Sequence, residues 1–162
     1  MFKTSIITVS DRGYRGERED KSGQALKEVL AGLDFQVVDY RIIPDEEDQI
    51  RHTLIDAVDR LGSDLILTTG GTGLSPRDVT PDATREVIEK EVPGFAEAMR
   101  AASLEKTPHA MISRAVCGIR GSSLIINLPG SPRAAVECLQ VALPALPHAL
   151  SKLKGDPSDC GS

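Results

Sequence analysis

Asp64-Leu65-Ile66-Leu67-Thr68-Thr69-Gly70-Gly71-Thr72-Gly73 is the stretch that decides how this chain is read. Asp64 to Thr69 reads as a buried strand centred on Leu65, Ile66 and Leu67, and it runs straight into three glycines in four residues. Working back from it, Phe2 to Val9 is another buried strand, with Ile6, Ile7 and Val9 as its β-branched centre. Ala25, Leu26, Val29, Leu30 and Leu33 then recur at helical spacing. Gln36 to Ile43 returns to strand, and Ile50, Leu54, Ile55, Val58 and Leu61 again keep a helical period. The order β-α-β-α-β predicts an α/β fold, a parallel sheet with helices on its faces.

Working forward, Gly70 to Val79 is a loop, and Thr80-Pro81-Asp82 supplies an N-cap residue, a proline at the first helical position and an acid in the first turn. That helix is expected to stop near Val92, because Pro93 disfavours helical geometry at the residue before it. A second helix is expected over Gly94 to Leu104. Met111 to Ile119 and Ser123 to Asn127 read as strands separated by Arg120-Gly121, a hairpin that would add a small antiparallel edge to the sheet. The last helix opens at Ser131-Pro132 and breaks at Pro144, and Gly155 to Ser162 reads as a flexible tail. Residues 1–154 thus make a single domain, the size expected of a 162-residue chain.

Composition narrows the function. The net charge of −5 and the lack of any Lys/Arg run argue against nucleic acid and anionic membrane as partners. Cys117, Cys138 and Cys160 are odd in number and form no C-x-x-C pair, which suits a reducing compartment. His52, His109 and His148 lack zinc-ligand spacing. With no long apolar run and no signal-peptide h-region, a soluble cytoplasmic protein is expected. On an acidic chain, a phosphate-bearing substrate needs a local site with oriented donors or a metal ion.

Ligands in open α/β sheets bind outside the carboxyl ends of the strands. Here four strands end in Ser10-Asp11, in Pro44-Asp45, in the glycine turn with Asp78 close behind, and in Leu128-Pro129-Gly130-Ser131. The glycine turn can present successive amides as an anion nest, although a plain tight turn accounts for it as well. It is neither a Walker A loop nor the dinucleotide fingerprint, for no Lys follows Gly73 and Pro76 stands where the third glycine would be. Ser131 opens a helix whose free amides favour anions, yet cap preferences read the serine first as that helix's cap. Asp45 stands where an N-cap belongs, ahead of Glu46, Glu47 and Asp48. Asp78 is left over once Thr80 has capped its helix, and a carboxylate beside a glycine turn is a common way to hold Mg²⁺ carrying substrate phosphates. Arg77 pairs with phosphate or is solvated.

Thr69-Gly70-Gly71-Thr72-Gly73 followed by Arg77-Asp78-Val79-Thr80-Pro81-Asp82-Ala83-Thr84 resembles the molybdopterin adenylyltransferase family, which includes the G domains of plant and animal molybdenum-cofactor proteins such as gephyrin. The likeness extends through Val9 to Arg12, Asp20 to Gly23, Ile43 to Glu46, Met111 to Arg114, Ile119 to Ser122, Ile126 to Pro132 and Glu137 to Leu139. The resemblance implies a three-layer α/β/α domain assembled as a homotrimer. It implies transfer of AMP from ATP to the phosphate of molybdopterin, with Mg²⁺ and release of pyrophosphate. Asp45 and Asp78 fall on the two aspartates that the family requires for catalysis, and Ser113 on a serine associated with the pterin; both aspartates are expected at the Mg²⁺, with substrate orientation the alternative role for Asp45. The nucleotide site is expected to draw on Ser10, Asp11, Gly70, Gly71, Thr72 and Gly73, and on Asn127, Leu128, Pro129, Gly130 and Ser131. The pathway's molybdenum-inserting enzyme is a candidate partner. The alternative is a non-catalytic molybdopterin-binding or scaffold protein of the same fold.

Overall fold

The computed structural model describes residues 1–161. The elements run β1 (Phe2–Val9), α1 (Asp11–Tyr14), α2 (Lys21–Leu30), β2 (Phe35–Ile43), α3 (Glu47–Asp59), β3 (Leu65–Thr69) and α4 (Thr80–Val87). They continue through β4 (Lys90–Glu91), α5 (Pro93–Leu104), β5 (Cys117–Arg120), β6 (Ser123–Leu128), α6 (Pro132–Ala142) and α7 (Leu146–Leu153). The strands form one sheet in the order β2-β1-β3-β6-β5-β4. The first four are parallel, and β5 and β4 close one side antiparallel.

Alternation along the central strands divides the core into two layers. Ile6, Leu65, Leu67, Leu124 and Ile126 face one way and bury Leu26 and Leu30 of α2, Met99 of α5, Leu139 of α6 and Leu150 of α7. Ile7, Ile66 and Ile125 face the other way, against Ile50 and Leu54 of α3 and Ala83 and Val87 of α4. Helices therefore cover both faces of a mostly parallel sheet, as the expected three-layer α/β/α architecture requires.

Three sequence-based boundaries differ. Helix α4 ends at Val87, not near Val92, since the next residues are drawn into an edge strand: Glu89 N–H donates to the Ile119 carbonyl at 2.7 Å and Val92 N–H to that of Cys117 at 2.8 Å. Ile88 packs over Gly118, where any Cβ would crowd its side chain. Met111 to Ile119 is not one strand. Pro108–Ile112 is a 3₁₀ turn, Arg114 N–H bonds the Thr72 carbonyl at 2.8 Å, and pairing with β6 begins only at Cys117. Thr80 is the first residue of its helix rather than its cap, the cap position being Val79 with no side-chain bond. The helix after β6 does start where Ser131-Pro132 places it, and a 3₁₀ turn at Leu143–Ala145 separates α6 from α7. Of the tail expected over 155–162, Ser162 lies outside the described residues. Among those residues the three cysteines are free, and no helix is long and apolar enough to cross a membrane.

Candidate active site

The sheet order fixes where a ligand can enter. Strand β2 lies on one side of β1 and β3 on the other, so the chain leaves β1 and β3 in opposite directions and opens a crevice between their carboxyl ends. A cleft of ≈ 880 Å³ occupies this position. Two glycines permit it. Gly70 has φ +104°, and a Cβ there would collide with the Val9 carbonyl oxygen, so no other residue lets the turn pass this close to β1. Gly71 has φ +69°, and a Cβ there would strike the Thr80 hydroxyl.

Around that crevice the ends of three strands lock together. Asp11 N–H donates to Asp45 Oδ2 at 2.8 Å, and Asp45 N–H donates back to Asp11 Oδ1 at 3.0 Å. Arg77 spans the gap from the glycine loop, donating to both oxygens of Asp11 at 3.0 and 3.1 Å and to Glu46 at 2.9 Å. Arg77 is thus a clamp among carboxylates, a role its sequence position did not suggest, on a side chain that stays more than half exposed. Asp45 does not cap α3, whose cap position is Glu46. Its carboxylate is turned to the cleft instead, and Asp78 lines the same cleft with Oδ2 accepting from Ser75 N–H at 3.0 Å.

Electrostatics at this convergence are unfavourable to a bare site. Burial pushes the Asp45 carboxyl above its usual range, and the charges of Asp11 and Asp78 add to that, against the opposing Asp11 N–H and Arg77. The Arg77 guanidinium holds Asp11 below its usual range. A half-buried carboxylate with two more carboxylates beside it is an arrangement that a divalent cation relieves. No group of three metal-ligating side chains occurs among the described residues. Two carboxylates such as Asp45 and Asp78 could hold a cation like Mg²⁺, which keeps waters and takes one or two carboxylates plus substrate phosphates.

The fourth strand end closes the cleft. Gly130 packs on Gly70, where a Cβ would meet the Gly70 Cα at 3.3 Å, and Ser131 accepts from Ala134 N–H at 3.1 Å as the cap of α6. Both line the cleft, as do Ser10 and Asp11. Ser10 also caps α1, accepting from Gly13 N–H at 3.0 Å. Sequence reasoning gave no role to Arg12, Arg18 and Lys21, which place three cations along this wall. The signal available was Asp20-Lys21-Ser22-Gly23: Asp20 caps α2, and the Ser22 hydroxyl donates to the Gly130 carbonyl, tying that wall to the β6 loop.

The remaining expected site residues lie elsewhere. Thr72, Gly73, Ser113, Asn127 and Pro129 line a second hollow of ≈ 250 Å³ walled by Met99, Ala96 and Ala134. The side chain of Asn127 is fully buried, its amide donating to Thr68 and Thr84 at 3.0 Å each and accepting from Val116 N–H at 3.1 Å. Leu128 lies in the core and offers its carbonyl to Gly70 N–H at 3.1 Å. Arg114, also without an assigned role, fastens the loop between the two hollows: it grips Asp82 at 2.9 and 3.1 Å and bonds the carbonyls of Gly73 and Asp78.

Residues 5–148 match a family model described as a probable molybdopterin binding domain. A molybdopterin adenylyltransferase of Helicobacter pylori is 45% identical over 93% of this chain and 87% of its own. The molybdopterin adenylyltransferase of Escherichia coli K12 is 45% identical over 86% of this chain and 72% of its own. Among solved structures, the molybdopterin biosynthesis enzyme MoaB of Thermus thermophilus superposes with a TM-score of 0.92 at 56% identity, covering 98% of this chain and 100% of the other.

Proposed function

The chain belongs to the molybdopterin adenylyltransferase family of molybdenum-cofactor biosynthesis, and from that premise we propose that it transfers AMP from ATP to the phosphate of molybdopterin in the cleft at the ends of β1, β2, β3 and β6. The observation that carries the proposal is the convergence of Asp45 and Asp78, from loops 33 positions apart in sequence, on a cleft walled by Arg12, Arg18 and Lys21.

In the reaction a phosphate oxygen of molybdopterin forms a bond to the α-phosphorus of ATP, and the bond from that phosphorus to the β-bridging oxygen breaks, releasing pyrophosphate. Both reactants are anions, so repulsion and alignment dominate the barrier, and the protein needs no nucleophile of its own. Asp45 and Asp78 would hold Mg²⁺, which supplies charge neutralisation for the triphosphate and the leaving pyrophosphate. Arg12, Arg18 and Lys21 oppose the phosphate charge from the facing wall. The turn at Gly70 and Gly71 and the start of α6 at Ser131 offer amides for the phosphate oxygens. The second hollow, with Ser113 on its rim and apolar walls, suits a flat heterocycle, and we assign it to the pterin.

The homotrimer belongs to the same proposal. Leu74, Met111 and Ile112 are exposed by 64, 72 and 50%, on two segments that Arg114 binds together, and exposed apolar side chains of this size favour an association surface. The test is incubation with molybdopterin, ATP and Mg²⁺, with mass detection of the adenylylated product and a pyrophosphate assay. Product and pyrophosphate in equal amounts are expected. Retention of molybdopterin without pyrophosphate release would make the protein a binder.

A further inference from the structure

Thr80 is fully buried, and its hydroxyl is the one buried side-chain donor or acceptor among the described residues that has no hydrogen-bond partner. Four other buried threonines are satisfied: Thr8 donates to Asp20, Thr53 to the Gln49 carbonyl, Thr69 to the Pro129 carbonyl and Thr84 to the Thr80 carbonyl. The backbone of Thr80 is anchored beneath the glycine turn, its N–H bonded to the Gly71 carbonyl at 3.1 Å and its carbonyl accepting from Thr84 at 2.8 Å. The hydroxyl does not cap α4, which has no side-chain cap bond.

Its surroundings lead back to the cleft. A Cβ on Gly71 would collide with Thr80 Oγ1 and lie 3.1 Å from Asp45 Oδ1. The hydroxyl and that carboxylate oxygen therefore border the same small space beneath the glycine turn. Asp45 Oδ2 is committed to Asp11 N–H, whereas Oδ1 has no hydrogen bond to the described residues. A buried hydroxyl left unpaired destabilises the fold, and a valine of the same outline would not. Such a group persists where it serves the site beside it.

We propose that Thr80 is a positioning residue for Asp45: unpaired in the ligand-free protein, its hydroxyl donates to Oδ1, directly or through one water beneath Gly71, once a cation is held there, and so keeps the carboxylate facing the cleft. A carboxylate has lone pairs enough to accept this bond and still face a cation. The inference rests on the reading of Asp45 as a cation-holding group. It also gives Gly71 a second purpose, since any side chain there would separate the two oxygens.

The test compares Thr80→Val and Thr80→Ser with the wild-type protein in three readouts: Mn²⁺ affinity in the presence of ATP, turnover with molybdopterin, and Tm without ligands. In Thr80→Val, Mn²⁺ affinity and kcat should each fall about tenfold, the loss expected of one hydrogen bond to a charged group. Its Tm should match or exceed the wild-type value, because the orphan hydroxyl is gone. Thr80→Ser should recover both affinity and turnover. A Thr80→Val protein equal to wild type in both would overturn the proposal. So would a lowered Tm accompanied by loss of function that serine does not restore, for the hydroxyl would then be structural. If the wild-type protein forms no adenylylated product while Thr80→Val still weakens Mn²⁺ binding, the transferase reading fails and the role of Thr80 stands.

Discussion

Gly71→Ala perturbs the place where the fold and the site meet, and Gly32→Ala is its natural control. Both glycines have positive φ, +69° and +80°, but a Cβ at Gly32 meets nothing within 4 Å whereas one at Gly71 collides with Thr80 and comes 3.1 Å from Asp45. An L-residue held in left-handed geometry costs about 1–2 kcal/mol. For a chain of this size 1 kcal/mol moves Tm by about 2–4 °C, so Gly32→Ala should lower Tm by about 2–8 °C. Gly71→Ala bears the same backbone cost plus about 1–3 kcal/mol for forcing a methyl into packed surroundings, which gives a fall of about 4–20 °C. Function should separate the two more sharply. Displacing Asp45 by a fraction of an ångström to an ångström can cost about 100-fold in turnover, while Gly32, in the turn before β2, should leave transfer unchanged. Scanning calorimetry and the adenylyl-transfer assay on both variants decide it. If Gly71→Ala melts no lower than Gly32→Ala and keeps its turnover, the crowding beneath the glycine turn has been misjudged.

Asp78→Asn keeps an acceptor for Ser75 N–H but loses its charge, so transfer should drop by at least about 100-fold, on the scale of removing one group that stabilises transition-state charge, with circular dichroism and Tm nearly unchanged. Asp45 has its carboxyl raised by burial and by neighbouring carboxylates. A raised acid favours the folded state at low pH and loses that advantage as pH rises through its folded value. Asp45→Asn should therefore raise the ligand-free Tm relative to wild type at pH 7 more than at pH 4, while abolishing Mn²⁺ binding; a gain that grows toward acid pH contradicts this sign. Asn127→Ala would strand the Thr68 hydroxyl and the Val116 N–H in the core, while Thr84 keeps its bond to the Thr80 carbonyl, and with about 1–3 kcal/mol for each of the two groups left unsatisfied the loss should reach about 2–6 kcal/mol. Urea unfolding should register it, and a shift below about 1 kcal/mol would show the network to be dispensable.

Most of the architecture is readable from periodicity. The alternation Leu65-Ile66-Leu67 and the helical spacing before it are local signals, and they fix β1 to β3 with their helices. The misplaced boundaries share one cause. Residues 88–92 and 113–116 take their shape from long-range partners, the Ile119 and Cys117 carbonyls for the first and the glycine turn for the second. Pro93 marked a stop in the sequence, yet sheet pairing ended α4 five residues earlier than that stop suggested. The strand-end loops carrying Asp11, Asp45, Asp78 and Gly130 could be gathered by topology alone, since a parallel sheet sends them to one edge. What the glycine turn does could not. It divides the expected residues between two hollows, placing Ser113 and Asn127 on the far side from Asp45. Arg77, Arg114 and Thr80 were opaque for a related reason. A single arginine or threonine in a loop has no periodicity, and its role depends on which carboxylates or carbonyls folding brings within reach.

The proposed transfer places a metal-bound triphosphate between the ends of β1, β2 and β3. A crystal of the protein with Mn²⁺ and a non-hydrolysable ATP analogue, measured at the manganese edge, tests it directly. An anomalous peak within coordination distance of the carboxylates of Asp45 and Asp78, with the analogue's phosphates along the glycine turn, is the predicted result. Manganese and phosphates bound away from both aspartates would contradict it.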